Sequence, residues 1–442
     1  MGTNHNVSRR DFVKSSAVVG AAVLTGFTSR MYAAGSDKVR IGVIGCGGRG
    51  TYDTTNCLNS AENVELVAMG DMFKDRLDAC RASLMRIPED PERAKEAARL
   101  AAKVKVTDET CFVGWDAYKQ VLATDVDLVI LTTPPHFRPM HLKAAIEASK
   151  HVFMEKPVAV DPPGARKIIE AGELAKKKGL GVVAGTQRRH QANYQRIQYA
   201  VERGAIGKIV GGCVWWCGGA LWYKTKDPNE SDADYMVRNW VSFTEMSGDH
   251  IVEQHVHNLD VANWYIGHPP DNALGFGGRA RRKTGNQFDF HSVDYDYGDG
   301  VRIHSMCRQI NGTDGGVREF FAGTEGQTMG GGGLKGKDIK PPDFPDRNAY
   351  VQEHVDLLNS ILKNEPLNEA RNVAESTLTA IMGRIATYTG KLVRWKDLTE
   401  NTSSPWYNMT LTPAALDFES PGVVAPPDDI VAIPGSDERR GR

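Results

Sequence analysis

A glycine-rich turn between a predicted strand and a predicted helix constrains this chain more than any other feature. Residues 38–44 are a short apolar run, typical of a buried parallel strand. The run ends in Gly45-Cys46-Gly47-Gly48-Arg49-Gly50, a helix-like stretch follows, and Asp71 ends the next predicted strand. This order predicts a dinucleotide site, in which the glycines let the backbone approach a pyrophosphate at the helix N-terminus. Because a carboxylate at Asp71 accepts hydrogen bonds from a ribose 2′-hydroxyl and repels a 2′-phosphate, NAD is favoured over NADP.

The periodicity of the chain changes near residue 187. Before it, short apolar strands such as 127–132 and 151–154 alternate with helices, which predicts a Rossmann-type, doubly wound parallel sheet. After it, longer strands separated by turns predict an α+β domain with an open, mostly antiparallel sheet. We therefore predict a signal peptide over 1–34, an NAD-binding domain over 35–186, a substrate and oligomerisation domain over 187–390 and a surface tail over 391–442.

The N-terminus carries an export pattern. Arg9 and Arg10 are followed by Phe12 and by a mildly apolar run over 17–27, which is typical of a twin-arginine signal. The run is shorter than the ~20 residues that a membrane-spanning helix needs. We expect a periplasmic or otherwise exported protein; a disordered basic leader is the alternative.

Composition excludes several classes of partner. The chain has 442 residues, with 54 Lys plus Arg against 55 Asp plus Glu, and no basic stripe is interleaved with aromatics. Nucleic acid and anionic membrane surfaces are therefore not expected partners. The 7 cysteines are scattered without C-x-x-C spacing, which predicts buried thiols rather than a zinc site or a disulfide framework.

A Glu155-Lys156-Pro157 turn follows the strand predicted at 151–154. Open α/β sheets place ligands at the carboxyl ends of their strands, so Lys156 is predicted to lie beside a nicotinamide and to take part in proton transfer. On these three residues alone, a surface lysine before a helix is the stronger alternative.

The motifs taken together resemble those of the glucose-fructose oxidoreductase / inositol dehydrogenase / rhizopine-catabolism (Gfo/Idh/MocA) family over residues 38–390. Besides the glycine turn and the Glu-Lys-Pro block, the resemblance rests on residues 132–136 and on Gly323-Thr324-Glu325-Gly326. It implies NAD(P) as hydride carrier, carbohydrate or polyol substrates and a role for Lys156 in proton transfer. The cofactor residues then expected are Gly45, Gly47, Gly48, Arg49, Gly50, Asp71, Thr133, Pro134, His136, Glu155 and Lys156.

The same resemblance points to a helix near residue 257. Family members commonly carry Asp and His four residues apart before a Leu-Asp pair, and here Glu253 and His257 precede Leu259-Asp260. On a single helix over 251–266, this spacing would place both side chains on one face. His257 would accept the proton while Lys156 holds the hydroxyl oxygen, or the reverse. Glu in place of Asp, and His255 where a small residue is common, suggest a different mode of substrate binding.

Two other interpretations of this helix stay open. His250, Glu253 and His257 fall on one helical stripe, so a metal site is conceivable, although their spacing matches no standard zinc motif and we expect no metal. A structural helix with buried histidines is the other alternative.

Three further residues are predicted to contact substrate. Gln187 and Arg188 follow the last parallel strand, and Trp240 is one of several tryptophans whose ring suits stacking on a sugar. Each has a structural alternative, because such residues also join domains or pack a sheet.

Export bears on mechanism, since free NAD is not expected outside the cytoplasm. An exported dehydrogenase would hold its cofactor tightly and regenerate it on the same site, for example by oxidising one sugar and reducing another carbonyl. A redox-neutral glycosidase or lyase, and a non-catalytic nucleotide-binding protein, are the alternatives. The open face of the second sheet predicts a homo-dimer or homo-tetramer.

Overall fold

The computed structural model describes residues 38–411, 423–428 and 431–435. The predicted signal peptide over 1–34 lies outside this part of the chain.

The first sheet has six parallel strands in the order β3-β2-β1-β4-β5-β6. Its strands are β1 (Val39–Ile44), β2 (Val64–Asp71), β3 (Cys111–Val113), β4 (Leu128–Leu131), β5 (His151–Met154) and β6 (Val182–Ala184). Strands β4 and β6 are buried along their whole length, as expected of a parallel sheet that is covered on both faces. The strand order reverses between β1 and β4, and this is where a doubly wound sheet binds its ligand. The predicted Rossmann architecture is confirmed.

Six helices connect these strands: α1 (Gly48–Ser60), α2 (Lys74–Met85), α3 (Pro91–Ala101), α4 (Ala117–Ala123), α5 (Arg138–Glu147) and α6 (Pro162–Lys178). Helix α6 shows how local sequence sets the ends. The Asp161 side chain accepts the Gly164 amide at 2.8 Å at its start, and Gly179 ends it in the left-handed region with φ 67°.

The second sheet has eight strands in the order β13-β12-β11-β7-β10-β9-β8-β14. They are β7 (Ile209–Gly218), β8 (Asn272–Gly278), β9 (Phe290–Asp296), β10 (Arg302–Gln309), β11 (Gly316–Gly323), β12 (Gln327–Thr328), β13 (Leu334–Lys335) and β14 (Val393–Arg394). The β7–β10 pair is parallel and the other pairs are antiparallel. The predicted open, mostly antiparallel sheet is therefore confirmed.

The remaining helices are α7 (Ala192–Glu202), α8 (Asp232–Arg238), α9 (Thr244–Ser247), α10 (His250–Glu253), α11 (Val256–Ile266), α12 (Ala349–Leu362), α13 (Ala370–Thr389) and α14 (Trp395–Thr399). Helix α13 is buried on nearly every side. Its first part, with Val373 and Ala374, packs into the core of the first sheet, and its later part, with Ile381 and Ile385, packs into the core of the second. One helix therefore joins the two cores.

Two predicted segments differ from the structure. The prediction of a single helix over 251–266 is wrong, because the helix is interrupted between α10 and α11. At the interruption, the buried His255 forms a hydrogen bond with Ser305 of β10 at 2.7 Å. The tail expected from residue 391 begins instead with Val393–Arg394, which pairs with β8 at the edge of the second sheet. The domain boundaries at 186 and 390 stay predictions.

Within the described residues, no helix combines the length and the apolar character needed to cross a bilayer. All seven cysteines are free thiols, but the prediction that they are buried is only partly right, because Cys111, Cys213 and Cys217 are half-buried.

Candidate active site

A cavity of about 510 Å³ opens at the carboxyl ends of β1 and β4. Its walls come from the glycine turn, the end of β2, the turn after β4 and a segment over residues 222–240. Among the predicted cofactor residues, the cavity is lined by Gly45, Gly47, Gly48, Arg49, Asp71, Thr133 and Pro134.

The glycines of the turn have different roles. Gly45 has φ 99°, and a Cβ there would lie 2.6 Å from the Thr133 amide nitrogen. At Gly50, a Cβ would lie 1.9 Å from the Gly45 oxygen, so α1 can approach the turn only without a side chain. A Cβ on Gly47 would meet nothing within 4 Å. Gly47 therefore leaves open the space into which the α1 N-terminus points, as a bound pyrophosphate requires.

Asp71 lies beside this turn at the end of β2. Its carboxylate accepts the amides of Cys46 at 2.5 Å and Phe73 at 2.8 Å. Burial raises the pKa of Asp71, although these two amides oppose the shift. A carboxylate has about four lone-pair sites, so acceptor capacity remains for ribose hydroxyls.

Arg138 joins the ends of β4 and β5. This fully buried guanidinium donates to the backbone oxygens of Glu155, Leu131 and Thr133 at 2.7–2.9 Å. Burial lowers its pKa to about 10. The turn that carries Thr133 and the turn that carries Lys156 are thereby fixed relative to each other.

Lys156 reaches from the end of β5 to the end of α10. Its ammonium donates to the backbone oxygen of Glu253 at 2.6 Å and to a carboxylate oxygen of the same residue at 3.2 Å. Both side chains are mostly buried, with 13% and 15% exposed. This is the contact between the two predicted catalytic segments.

His257 lies in the first turn of α11 and is buried. Its ring stacks on Trp216 of β7, with centroids 5.8 Å apart and planes at 21°. Burial, followed by the nearby charges of Lys156 and Arg188, holds the pKa of His257 well below its usual range. His257 is therefore neutral at pH 7 and near Lys156, although it does not share a helix with Glu253.

Glu155 does not line the cavity. It pairs with Arg49, whose Nε donates to Oε1 at 2.8 Å, and Arg49 also lies 3.2 Å from Asp53. A Cβ on Gly185 would lie 2.4 Å from the Glu155 carboxylate, so Gly185 makes room for it. Glu155 thus anchors Arg49, which in turn lines the cavity.

The predicted substrate residues are not brought together. Trp240 lines the cofactor cavity. Gln187 donates to the Tyr350 hydroxyl at 3.3 Å, and Arg188 forms an ion pair with the buried Glu319. His136 contacts the Glu245 backbone oxygen at 2.9 Å and does not line the cavity.

The residues of the conceivable metal site are also separated. His250 contacts Asp249 at 2.8 Å, whereas Glu253 contacts Lys156 and His257 stacks on Trp216. The helical stripe that suggested such a site does not exist, because the helix is interrupted.

Residues over 222–240 cover the cavity and were not predicted to do so. Arg238 pairs with Asp75 at 2.9–3.0 Å and lies 3.8 Å over the Phe73 ring. Asn239 bonds the Lys224 backbone twice, at 2.7 and 2.9 Å. This covering segment, residues 222–240, meets the cavity only through long-range contacts, which leave no periodic signal in the sequence.

Comparisons with known proteins agree with the fold that carries this site. Residues 39–186 match the model of an oxidoreductase family with an NAD-binding Rossmann fold, named for Gfo, Idh and MocA. The NAD-binding part of the chain therefore matches the Gfo/Idh/MocA family. The match confirms the resemblance over these residues and their predicted NAD-binding fold. Residues 6–26 match the signal sequence of the twin-arginine translocation pathway, as predicted.

Curated relatives of the chain include inositol dehydrogenases. Inositol 2-dehydrogenase 4 of Saccharopolyspora erythraea is 31% identical over 39% of this chain and 43% of the relative. The myo-inositol 2-dehydrogenase of Thermotoga maritima is 25% identical over 54% of this chain and 58% of the relative. The chain thus spans about half the length of these curated relatives.

Solved structures share the fold over a longer range. The scyllo-inositol dehydrogenase of Lactobacillus casei with bound NAD(H) and scyllo-inositol is 19% identical, covers 81% of this chain and 99% of its own, and has a TM-score of 0.60. WlbA dehydrogenase of Bordetella pertussis, in complex with NADH and UDP-GlcNAcA, is 18% identical over 81% of this chain and 98% of its own, with the same TM-score. At these identities the likeness establishes the fold alone.

Proposed function

We propose that this protein is an NAD-dependent oxidoreductase that acts on a hydroxyl group of a sugar, glycoside or polyol and holds its cofactor tightly. The observation that carries the proposal is the contact of Lys156, at the end of β5, with Glu253, beside a neutral His257. Inositol dehydrogenases among the relatives support a polyol or carbohydrate substrate.

The residues of the cavity fit NAD. Gly47 and Gly48 present the α1 N-terminus to open space, and Asp71 offers a carboxylate to a ribose. Trp115 and Tyr118 add aromatic surface to the same wall. When bound, NAD supplies the hydride acceptor for the reaction.

The protein's own residues then handle the proton. Lys156 orients the substrate hydroxyl oxygen through its ammonium, while Glu253 fixes the direction of the Lys156 side chain. His257 is uncharged and accepts the hydroxyl proton, although burial and nearby positive charge lower its pKa and so weaken it as a base. The buried surroundings of both groups exclude water from the reacting carbon.

The covering segment, residues 222–240, supports tight retention of the cofactor. Trp222, Lys224, Arg238 and Trp240 line the cavity opposite the glycine turn, and the pair of Arg238 with Asp75 closes over it. The described C-terminal residues add support, since the Ala425 amide bonds the Asp232 carboxylate at 2.8 Å. A dinucleotide in this cavity would leave only after these contacts open.

Two alternatives make different predictions. A redox-neutral glycosidase or lyase would release product from a glycoside without net reduction of its cofactor. A non-catalytic nucleotide-binding protein would hold the dinucleotide and show no absorbance change with any sugar. The proton-transfer groups Lys156 and His257 favour the oxidoreductase.

The test is a screen of monosaccharides, disaccharides, glycosides and polyols against the NAD-loaded protein, with the absorbance of reduced nicotinamide as the readout. Reduction by at least one compound supports the proposal. Retained NAD without reduction or product release supports the non-catalytic protein, and product release without net reduction supports the redox-neutral enzyme.

Location and assembly follow from other features. The twin-arginine signal supports a periplasmic protein, which cell fractionation of the wild type and of an Arg9→Lys/Arg10→Lys variant tests.

Leu274, Phe276 and Met306 lie on one face of the second sheet, with 50%, 70% and 39% of each residue exposed. This apolar face supports a homo-dimer or homo-tetramer, which light scattering of the purified protein would measure.

A further inference from the structure

A buried cluster outside the cofactor cavity joins Asp249, His250 and His291. Each of these residues is at most 3% exposed. One carboxylate oxygen and one nitrogen from each imidazole lie within 4.8 Å of one another. Two imidazoles and a carboxylate form a donor set that Zn²⁺ and other divalent first-row metals accept.

The backbone at Asp249 indicates that its side chain is needed there. Asp249 has φ 77° and ψ 162°, a region occupied almost only by glycine, and such a conformation costs about 1–3 kcal/mol. The residue before it is a glycine. Glycine would adopt this backbone conformation at a lower cost than aspartate. The contacts of the Asp249 carboxylate must therefore compensate for the strain.

No permanent cation is paired with this carboxylate among the described residues. Its ion-pair partners within 4.0 Å are His250 and His291. The nearby buried Arg384 donates instead to the backbone oxygens of Val160 at 2.7 Å and Gly248 at 3.0 Å. The other donors to the carboxylate include the Phe288 amide, at 3.1 Å, and the Tyr388 hydroxyl. A buried negative charge is thus surrounded by neutral donors and titratable rings.

Two imidazole nitrogens in the cluster lack hydrogen-bond partners among the residues that the structure describes. His291 uses Nδ1 for Thr387 at 2.8 Å, and its Nε2 lies 3.4 Å from the Asp249 carboxylate without the geometry of a hydrogen bond. His250 Nδ1 lies 2.8 Å from Asp249 Oδ1, and its Nε2 has no hydrogen-bond partner in the described part of the chain. An unsatisfied buried polar group costs about 1–3 kcal/mol, and coordination would satisfy at least the His291 nitrogen.

We propose that Asp249, His250 and His291 bind one divalent transition-metal ion, with Zn²⁺ the first candidate. The ion neutralises the negative charge of the buried Asp249 carboxylate and is coordinated by the His291 Nε2 atom. The site is structural, because it fixes the start of α10, and that helix ends at Glu253, the partner of Lys156. It differs from the stripe of His250, Glu253 and His257 that the sequence suggested.

The wild-type protein provides the deciding test. The full chain is purified through a tag without histidine, and its metal content is measured by mass spectrometry, as purified and after dialysis against Zn²⁺. We expect about one ion per chain, a lower Tm after treatment with a strong chelator, and recovery on adding Zn²⁺. Protein that contains no metal, takes up none and keeps its Tm with chelator would overturn the proposal.

Variants locate the ion. His291→Gln and Asp249→Asn should each lower the metal content about tenfold or more, whereas His304→Gln on the exposed sheet face should keep it. Full metal content in a folded His291→Gln protein would place the ion elsewhere and contradict the assignment. If the ligand variants do not fold, the visible spectrum of the Co²⁺-loaded wild type identifies the coordination: nitrogen and oxygen ligands support the site, and sulfur ligation overturns it. None of these readouts depends on sugar oxidation.

Discussion

The Lys156 ammonium lies 2.6 Å from the backbone oxygen of Glu253 and 3.2 Å from one of its carboxylate oxygens. The first contact involves the main chain and the second the side chain. A substitution at Glu253 can therefore remove one without the other.

We expect Lys156→Met to lower the rate of substrate oxidation by roughly 100- to 10,000-fold, the usual range for a group in proton transfer. Glu253→Gln should lower it less, because the backbone oxygen still orients Lys156. Stopped-flow measurement of nicotinamide reduction gives both rates. Lys143→Met, an exposed residue of α5, is the control and should react as the wild type does. A Glu253→Gln rate as low as that of Lys156→Met would show that the carboxylate has its own chemical role.

Two glycine substitutions should separate folding from cofactor binding. Gly47→Ala should keep the Tm of the wild-type apoprotein, because its Cβ meets nothing within 4 Å among the described residues, yet lower the dinucleotide content about tenfold or more. Gly50→Ala should destabilise the protein by about 3 kcal/mol, since its Cβ would overlap the Gly45 oxygen. Urea denaturation and acid release of dinucleotide measure the two effects. Normal NAD content in Gly47→Ala would place the pyrophosphate elsewhere.

Asp71→Asn should weaken NAD binding by about tenfold or more, because hydrogen bonds to a charged group contribute about 1.5–3 kcal/mol. The same variant should bind NADP relatively better, since repulsion of the 2′-phosphate is removed. Titration of apoprotein with both dinucleotides by calorimetry gives the ratio. Asp78→Asn, on the exposed surface of α2, should leave both affinities unchanged. An unchanged NAD to NADP ratio in Asp71→Asn would argue against a ribose contact.

Arg238→Ala should speed the release of bound dinucleotide by about threefold to tenfold. The ion pair with Asp75 and the contact with the Phe73 ring each contribute up to about 1 kcal/mol, and both hold the covering segment closed. Release is followed by fluorescence after mixing with an excess of competing dinucleotide. Arg203→Ala is a matched control, since Arg203 also pairs with an acid and lies over an aromatic ring, but directly after the end of α7. Equal release rates in the wild type and Arg238→Ala would show that these contacts of the covering segment do not retain the dinucleotide.

Stability should fall as the pH drops below about 6.5. Burial lowers the pKa of His141, His255 and His354 to about 3 each, so these rings are neutral when folded and protonate near 6.5 only when the chain unfolds. Each contributes stability that is present above pH 6.5 and lost by up to about 1.4 kcal/mol per pH unit below it. Urea midpoints between pH 5 and 8 test this. His354→Phe should reduce the slope, and an unchanged slope would contradict the assignment for that ring.

How well the sequence predicts the site depends on how far apart the contacting residues are along the chain. The glycine turn, Asp71 and Lys156 were predicted because strand, turn and helix signals lie next to them in the chain. The break between α10 and α11 was missed, since it depends on His255 contacting Ser305 of a distant strand. Arg138 was missed because its three carbonyl partners carry no side-chain signal.

The same limit applies to the covering segment and to the metal-binding cluster. The position of Trp240 in the wall of the cavity was not predicted, because only the fold brings residues 222–240 over the first sheet, and its stacking on a sugar stays a prediction. Asp249 and His250 are adjacent, but His291 joins them from β9, and only the folded chain reveals the set.

The most direct test of the account is hydride transfer on the protein itself. The sugar, glycoside or polyol that reduces the bound nicotinamide in the screen is prepared with deuterium on the reacting carbon. It is then mixed with NAD-loaded protein in a single turnover. We expect deuterium in the bound nicotinamide and a slower reaction than with the undeuterated compound, while Lys156→Met retains NAD and transfers at least about 100-fold more slowly. Nicotinamide that stays oxidised with every carbohydrate and polyol, or a Lys156→Met protein that transfers at the wild-type rate, would contradict the proposed function.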